Sequence, residues 1–483
     1  MNAGATPSER APGRPEGAAA VVIGGGLAGT TAALALADAG LRVTLVEGRP
    51  RLGGLVFSFR RDGAAGPLTV DNGQHVHLRC CTAYGDHLKR IGGHHLAPLQ
   101  DRLDVPVLDA VGAGGRPRLG RLRRTALPVP LHLAKSLACY PHLSPAERAG
   151  VVRATLALGR LDLDDPALDA TDFGSWLRRH GQSPRAVEAL WDLVGVATLN
   201  ATAGDVSLGL AAKVFKTGLL SAPGAADIGR ARVPLGDLHD TLAGAALREA
   251  GVQVALRTRA TAVTRDGDGD GWRVAVGSGP HGGRTLTADT VVLAVPQREA
   301  HGLLPDGALP DRDRLLDIGT APILNVHVVY DRPVLRRPFF AALGSPVQWV
   351  FDRTGPSGLA RADGHRRSQY LALSQSAAQE EIDQPVGKLR ARYLPELERL
   401  LPAARGARIL DFFVTRERTA TFAPAPGVGR LRPAARTQVP GLFLAGAWTA
   451  TGWPATMESA VRSGTAAARE ALTELGCPPG RLP

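Results

Sequence analysis

Residues 20 to 54 constrain this chain more than any other stretch: AVVIGGGLAGTTAALALADAGLRVTLVEGRPRLGG. Ala20 to Ile23 is a short apolar run of the kind that forms a strand buried on both faces. Gly24-Gly25-Gly26-Leu27-Ala28-Gly29 follows, and then Ala32, Ala33, Leu36 and Ala37 recur at helical spacing. Leu41 to Val46 is a second strand, with Glu47 at its end. Strand, glycine loop, helix, strand and acid together predict a βαβ unit of a parallel sheet. The glycines have separate tasks: a tight turn, close backbone approach to a pyrophosphate, and close packing of helix on strand. Leu27 and Ala28 open the helix, whose first N–H groups are free to meet phosphate oxygens. Glu47 stands where a carboxylate accepts hydrogen bonds from ribose hydroxyls and repels a 2′-phosphate.

The next residues narrow the dinucleotide. Gly48, Arg49, Pro50, Arg51 and Leu52 lead to a second glycine pair, Gly53-Gly54. A glycine pair after an acidic strand end resembles the FAD-binding fold of the amine oxidase and phytoene desaturase superfamily. The alternative is an ordinary glycine-rich turn.

A chain of 483 residues is too long for one simple core and suits two interleaved domains. The four cysteines, Cys80, Cys81, Cys139 and Cys477, have no metal-type spacing and form no disulfide framework, which fits a reducing cytoplasm. The formal charge of +12 invites an anionic partner, nucleic acid or lipid. No recognition-helix, zinc or RNA-binding motif accompanies it, so an anionic membrane surface is expected and nucleic acid is not. Residues 1 to 18 read as a disordered tail and not as a signal peptide. Apart from the βα unit itself, no stretch is apolar enough for a membrane span.

Further along, Val252 to Leu256, Ala262 to Thr264 and Trp272 to Val276 read as strands. The turn 266–271 joins the last two, and Asp289 to Pro296 is a strand stopped at a proline. Gly441 to Gly464 reads as strand, glycine turn and helix start. The expected fold class is therefore α/β: a Rossmann-like, glutathione reductase-type FAD domain interleaved with an α+β substrate domain. The FAD domain is expected from 19–90, 231–300 and 426–475, and the substrate domain from 91–230 and 301–425.

Three more segments carry a closer resemblance. They are Asp71-Asn72-Gly73-Gln74-His75-Val76, the stretch Gln348-Trp349-Val350-Phe351-Asp352-Arg353 after Ala321–His327, and the run from Trp448 through Gly452-Trp453-Pro454-Ala455-Thr456-Met457-Glu458. Over about residues 20 to 470 the chain resembles the squalene-associated FAD-dependent family of hydroxysqualene dehydroxylases in hopanoid biosynthesis. The resemblance implies a phytoene desaturase-like fold and reductive removal of a hydroxyl from hydroxysqualene to give squalene. It implies that Gly24, Gly26 and Gly29 face the pyrophosphate and Glu47 the adenosine ribose, with Arg51 and Gly54 bordering the phosphates. The Ala260 backbone would meet the adenine, and Gly446 the pyrophosphate and ribityl chain. The Met457 amide, after Ala455 and Thr456 at a helix start, would face the flavin N1/O2 edge. Two positions depart from the superfamily pattern: Leu55 replaces an arginine, and Ala447 replaces an acidic residue.

Dehydroxylation needs a proton for the leaving hydroxyl, a dry apolar cavity and a hydride. His75 is the expected proton donor, with Asp71 orienting it; the alternative is that both pin their loop. His75 and His77 have a formal metal spacing, but no metal is expected. Trp448 and Trp453 wall the cavity or pack the helix start against the sheet. Asn200 bonds substrate or caps a turn, and Asp352-Arg353 reads as an ion pair. Basic and apolar residues interleave across 112–140, as in a segment resting on anionic lipid or in a solvated loop before a core helix.

Rival functions remain. An amine oxidase usually carries an aromatic residue where Thr456 stands. A carotenoid-type desaturase shares the long polyene substrate. A non-catalytic isoprenoid binder would lose parts of the dinucleotide site, which this chain keeps. Only one dinucleotide motif is present, so an external electron donor is expected: a reductase, a ferredoxin or a free reduced nicotinamide.

Overall fold

The structure, a computed structural model, describes residues 17–110, 116–267, 271–277, 283–359 and 367–477. Nearly all of the expected N-terminal tail, and parts of the 112–140 segment and of the 266–271 turn, lie outside the described residues. Gly17 and Ala18 are held by Arg42, which donates from Nε to the Gly17 carbonyl (2.9 Å) and from its backbone N–H to that of Ala18 (2.9 Å).

The first strand, Ala19–Ile23, lies at the centre of a five-stranded parallel sheet. Arg42–Val46 and Gln253–Ala255 extend it on one side, and Thr290–Leu293 and Leu442–Leu444 on the other. Val22, Val291, Val292, Leu293, Leu442 and Leu444 are fully buried, because helices cover both faces of such a sheet. The helix Leu27–Asp38 packs on the terminal helix Met457–Glu474 so closely that a Cβ at Gly464 would sit 2.2 Å from the Ala28 carbonyl oxygen. An antiparallel three-stranded sheet, Arg259–Arg265, Trp272–Gly277 and Gly283–Ala288, stands between the third and fourth pieces of the parallel sheet.

A second, seven-stranded sheet is built from 104–123 and 320–422. Its order is Ile409–Phe422, Thr320–Tyr330, Gln369–Ser376, Trp349–Asp352, Phe339–Leu343, Asp104–Asp109 and Arg118–Arg123. The helix Val386–Leu400 covers one face with Leu389, Tyr393 and Leu397. The other face meets a core shared with the helical region, where Phe173, Trp176, Trp191 and Phe215 gather.

The hairpin Ser58–Gly63 and Gly66–Asp71 falls within the stretch expected for the FAD domain, yet it packs on the seven-stranded sheet. Leu68 and Val70 are buried against Val329, Tyr370 and Phe413, and Arg61 pairs with Asp411. Its alternating pattern needs one apolar partner face, and the nearest such face belongs to the other sheet.

Candidate functional site at the junction of the two sheets

The glycine loop is shaped for a phosphate. Gly24 has φ +111°, and a Cβ there would lie 2.4 Å from the Ala294 carbonyl oxygen. A Cβ at Gly29 would lie 1.9 Å from the Gly24 oxygen, so no larger residue fits the helix start. The helix has Gly26 as N-cap, with no side-chain cap and no acidic residue in the first turn. The N–H groups of Leu27, Ala28 and Gly29 thus begin a helix that no side chain neutralises, which suits an anion. Gly53 (φ +88°) and Gly54 (φ +57°) turn the second loop back, and a Cβ on Gly54 would come 2.8 Å from the Gly26 Cα. The residues present therefore fit a dinucleotide pyrophosphate between the two loops.

Glu47 accepts the Gly25 N–H (2.7 Å) on one oxygen and the Arg49 N–H (2.7 Å) on the other. Each oxygen keeps a lone pair for a ribose hydroxyl. Gly48 lies against Arg259, and Thr258 N–H donates to the Glu47 carbonyl (2.9 Å), which brings the bulged strand holding Ala260 next to Glu47. Glu47→Ala is expected to weaken FAD binding by about 1.5–3 kcal/mol per lost charged hydrogen bond. Unchanged affinity in a fluorescence titration of apoprotein would count against this placement.

Arg51 donates to the carbonyls of Leu52 (3.0 Å) and Gly54 (3.1 Å) and stacks 3.5 Å over Phe57. Burial, then the like charge of Arg49, lowers it to about 10. Leu55, at the departure from the superfamily pattern, is exposed and offers its carbonyl to the Asn72 amide (2.9 Å).

At the terminal motif, Gly446 (φ +147°) takes a backbone form that L side chains rarely adopt, and the Trp448 indole lies where its Cβ would be. Trp448 Nε1 donates to the Val295 carbonyl (2.9 Å), so this ring packs the turn against the sheet. The indole of Trp453 sits between Lys213 (5.2 Å) and Arg462 (5.1 Å). Ala455 packs against the larger core, and Thr456 caps the terminal helix by accepting the Ser459 N–H (3.2 Å), leaving the Met457 N–H without a side-chain cap. Arg432, which the sequence did not single out, is buried beneath this turn. It donates to the carbonyls of Trp448 (3.3 Å), Ala447 (3.2 Å) and Thr449 (2.5 Å), and burial lowers it to about 10. It fixes the backbone at the position where the superfamily's acidic residue is replaced by Ala447.

The expected Asp71–His75 pair is not hydrogen-bonded. Asp71 is buried and pairs with Arg353, while its other oxygen accepts Ser58 Oγ (2.6 Å) and the Leu235 N–H (3.0 Å). Arg353 therefore bonds Asp71 and not the adjacent Asp352, whose oxygens accept Thr354 N–H (2.9 Å), Thr354 Oγ1 (2.6 Å) and Gln369 Nε2 (2.8 Å). His75 Nδ1 lies 3.3 Å from the Gly73 carbonyl. Burial lowers its pKa, against the opposing pull of that carbonyl and of Asp71. The ring is thus biased toward the neutral form, which is a weak acid. His77 packs on Gly229 and is lowered to about 4 by burial. Among the described residues no cluster of His, Cys, Asp or Glu is arranged for a metal ion.

Asn200 adopts a left-handed conformation (φ 59°) at a helix end. Its side chain bonds the Ala321 carbonyl (3.1 Å), Thr421 Oγ1 (2.9 Å) and the Ala377 N–H (2.7 Å). These bonds tie the helical region to the seven-stranded sheet.

The register of that sheet assembles a group of side chains that sequence reading missed. Thr415, Asn325, Ser374, Trp349 and Ala341 lie opposite one another across five strands and share one face. The next row on the same face includes Glu417, Ile323 and Ser376, and the row on the other side Ala372, Phe351 and Phe339. Asn325 Nδ2 (3.0 Å) and Thr415 Oγ1 (3.1 Å) donate to the Asn72 carbonyl, whose own side chain reaches Leu55. The polar end of this face thus lies against the second glycine loop. Asn325 Oδ1 is buried with no partner among the described residues, and Thr415, Glu417, Ser374, Ile323 and Trp349 stay half-buried. Burial raises the pKa of Glu417, opposed by the Asn72 amide, Arg49 and Arg51.

Comparison with known proteins agrees with this architecture. The family model described as flavin containing amine oxidoreductase matches residues 27–472. A hydroxysqualene dehydroxylase of Rhodopseudomonas palustris is 31% identical, with 92% of this chain and 96% of that protein aligned. One from Sinorhizobium fredii is 29% identical over 94% and 98%. A zeta-carotene desaturase of Synechocystis is 23% identical over 93% and 96%. A solved putrescine oxidase structure superposes with a TM-score of 0.70 at 20% identity, covering 95% of this chain and 99% of that one. With FAD as its cofactor, the chain belongs to the flavin-containing amine oxidoreductase family.

Proposed function

We propose that the protein removes the hydroxyl of hydroxysqualene reductively, releasing squalene and water. The observation that carries this reading is the two-character face of the seven-stranded sheet. Glu417, Thr415, Asn325 and Ser374 offer hydrogen bonds at one end, and half-buried Trp349 with Phe351 and Phe339, both packed in the larger core, continue the face as an apolar row. A long hydrocarbon with a single hydroxyl matches such a face: the chain follows the aromatic side chains, and the hydroxyl reaches the polar group beside the glycine loop. Reduced flavin, when bound, supplies the hydride. The chain's own tasks are to hold the hydroxyl, protonate it and keep water from the cationic carbon.

The proton donor is assigned to Glu417 in place of His75. Burial favours the neutral form of both groups, but that form is the acid for a carboxyl and only a weak acid for an imidazole. His75 and Asp71 then shape the loop, and the Met457 N–H at the helix start favours negative charge on the cofactor.

Photoreduced protein incubated anaerobically with hydroxysqualene is expected to give squalene, one oxygen lighter than the substrate by mass. No squalene from the reduced protein, together with a product two hydrogens lighter when the oxidised protein is incubated with the same substrate, would point to a desaturase and defeat the proposal.

The second part of the reading is a peripheral position on the anionic inner face of the cell membrane. Among the described residues no helix is long and apolar enough to cross a membrane. Within 112–140, Leu119, Leu127 and Leu131 are each more than half exposed beside Arg116, Arg118 and Arg123. Leu122, Leu133 and Leu137 turn inward to the core. The protein should sediment with anionic vesicles at low salt and leave them as salt rises; binding indifferent to both would refute the electrostatic contact.

A further inference from the structure

Arg230, Arg232, Arg336 and Arg337 converge on one open pocket of about 350 Å³. Among the described residues none of their guanidinium groups makes a hydrogen bond or an ion pair. The only carboxylate on the wall is Asp352, and its oxygens are already bonded to Thr354 and Gln369. Four positive groups thus face one space with a single, otherwise engaged, negative group. Such a gathering is unfavourable by itself, since like charges repel. Elsewhere half-buried arginines have carboxylate partners: Arg121 pairs with Asp104, Arg124 with Asp227, and Arg185 with Asp109 and Glu188. Arg230 is half-buried, and burial together with Arg353 and Arg232 lowers its pKa. An anion in the pocket would relieve that repulsion.

We infer that this pocket binds a phosphate-bearing ligand with two or more negative charges. Arginine suits that chemistry because its planar N–H fork matches phosphate oxygens. The position gives the site a meaning. Arg230 and Asp352 also line the small pocket that holds Asp71, His75, Phe351 and Arg353, so the arginine pocket is the outer neighbour of the His75 loop and of Phe351, at the apolar end of the proposed substrate face. A phosphate held there stands at its approach, either as a phospholipid headgroup beneath which an apolar substrate leaves the bilayer, or as the diphosphate of a soluble nicotinamide dinucleotide delivering electrons. The inference stands on the arginines and does not depend on the identity of the substrate.

The test uses the FAD-loaded protein, so that the dinucleotide loop is occupied, and inorganic pyrophosphate as the probe in isothermal titration at low salt. The variant is Arg336→Gln with Arg337→Gln; both side chains are exposed and unpaired, so folding does not depend on them. The control is Arg298→Gln with Arg469→Gln, which removes the same charge from exposed positions outside this pocket. Pyrophosphate binding should weaken tenfold or more in the pocket variant and hold in the control. Equal weakening in both variants, or none in the pocket variant, overturns the proposal. Two further arms separate the sources: cardiolipin vesicles, whose headgroup carries two phosphates, and a reduced nicotinamide dinucleotide. Pocket-dependent binding of vesicles assigns the site to lipid, and of the dinucleotide to the electron donor; pocket-dependence of neither overturns the proposal as well.

Discussion

Glu417→Gln is expected to slow formation of squalene from hydroxysqualene by about 10²-fold or more, with FAD content and flavin spectrum unchanged. Breaking the C–O bond sends its electron pair to oxygen, and hydroxide is a poor leaving group. A proton from the Glu417 carboxyl would convert it to water, and reduced flavin, when bound, would supply the hydride that the carbon then needs. Glutamine has the same shape and keeps a hydrogen-bond donor, but it delivers no proton. A structural role would predict a different pattern, so the discriminating substrate is an acetate ester of hydroxysqualene, whose leaving group departs without protonation. Glu417→Gln should process that ester at close to the wild-type rate. Equal slowing on both substrates would mean that Glu417 only holds the sheet; normal turnover of the alcohol would mean that another group is the acid. A wild-type protein that makes no squalene refutes the substrate reading and not Glu417. Glu417→Asp keeps the carboxyl one methylene further back, and intermediate activity is expected of it. His75→Ala, measured alongside, should keep most of its activity.

Arg353→Met should destabilise the fold by about 3–5 kcal/mol, because it leaves the Asp71 carboxylate buried without its cation. Arg353 joins three segments: it pairs with Asp71 at the end of the hairpin, and it donates to the carbonyls of Ala231 (2.9 Å) and Val233 (3.3 Å). Asp71 in turn holds the Leu235 N–H and the Ser58 hydroxyl. The double variant Asp71→Asn with Arg353→Met removes the stranded charge and should recover part of the loss. The measurement is the urea midpoint at constant slope, which reads stability directly. A loss below about 1 kcal/mol would place this pair among surface contacts that contribute little.

The turn at Gly24, the close packing at Gly29 and the strand-end place of Glu47 were legible because a glycine loop of this kind is written in consecutive residues. The strand before it, the helix after it and the acid at the end of the next strand all lie within 30 residues, and each local choice depends on backbone conformation or on helix geometry. The Asp352-Arg353 neighbours misled for the same reason. The strand ends at Asp352, and Arg353 leaves its line as the cap of the short helix that follows (φ −114°, ψ 14°), so its side chain met Asp71, 282 positions earlier in the chain.

Glu417 had no such local signal. The run Thr415-Arg416-Glu417-Arg418 alternates in the manner of a solvated strand. Arg416 and Glu417 point to opposite faces, and Arg416 is spent on the carbonyls of Ile382 (2.7 Å) and Gln384 (2.7 Å). Only the pairing of Glu417 with Ile323, set by sheet register, brought the carboxyl beside Asn72 and the glycine loop. Arg432 beneath the terminal turn, and the four arginines gathered from 230–232 and 336–337, likewise came together through strands and loops far apart in the chain. The sequence by itself determined the dinucleotide cradle, since short-range backbone geometry dictates glycine and a helix start. The tertiary structure alone decided which charges are paired, which acid is buried and which cations are left facing one another, because burial and electrostatic partners are properties of long-range packing.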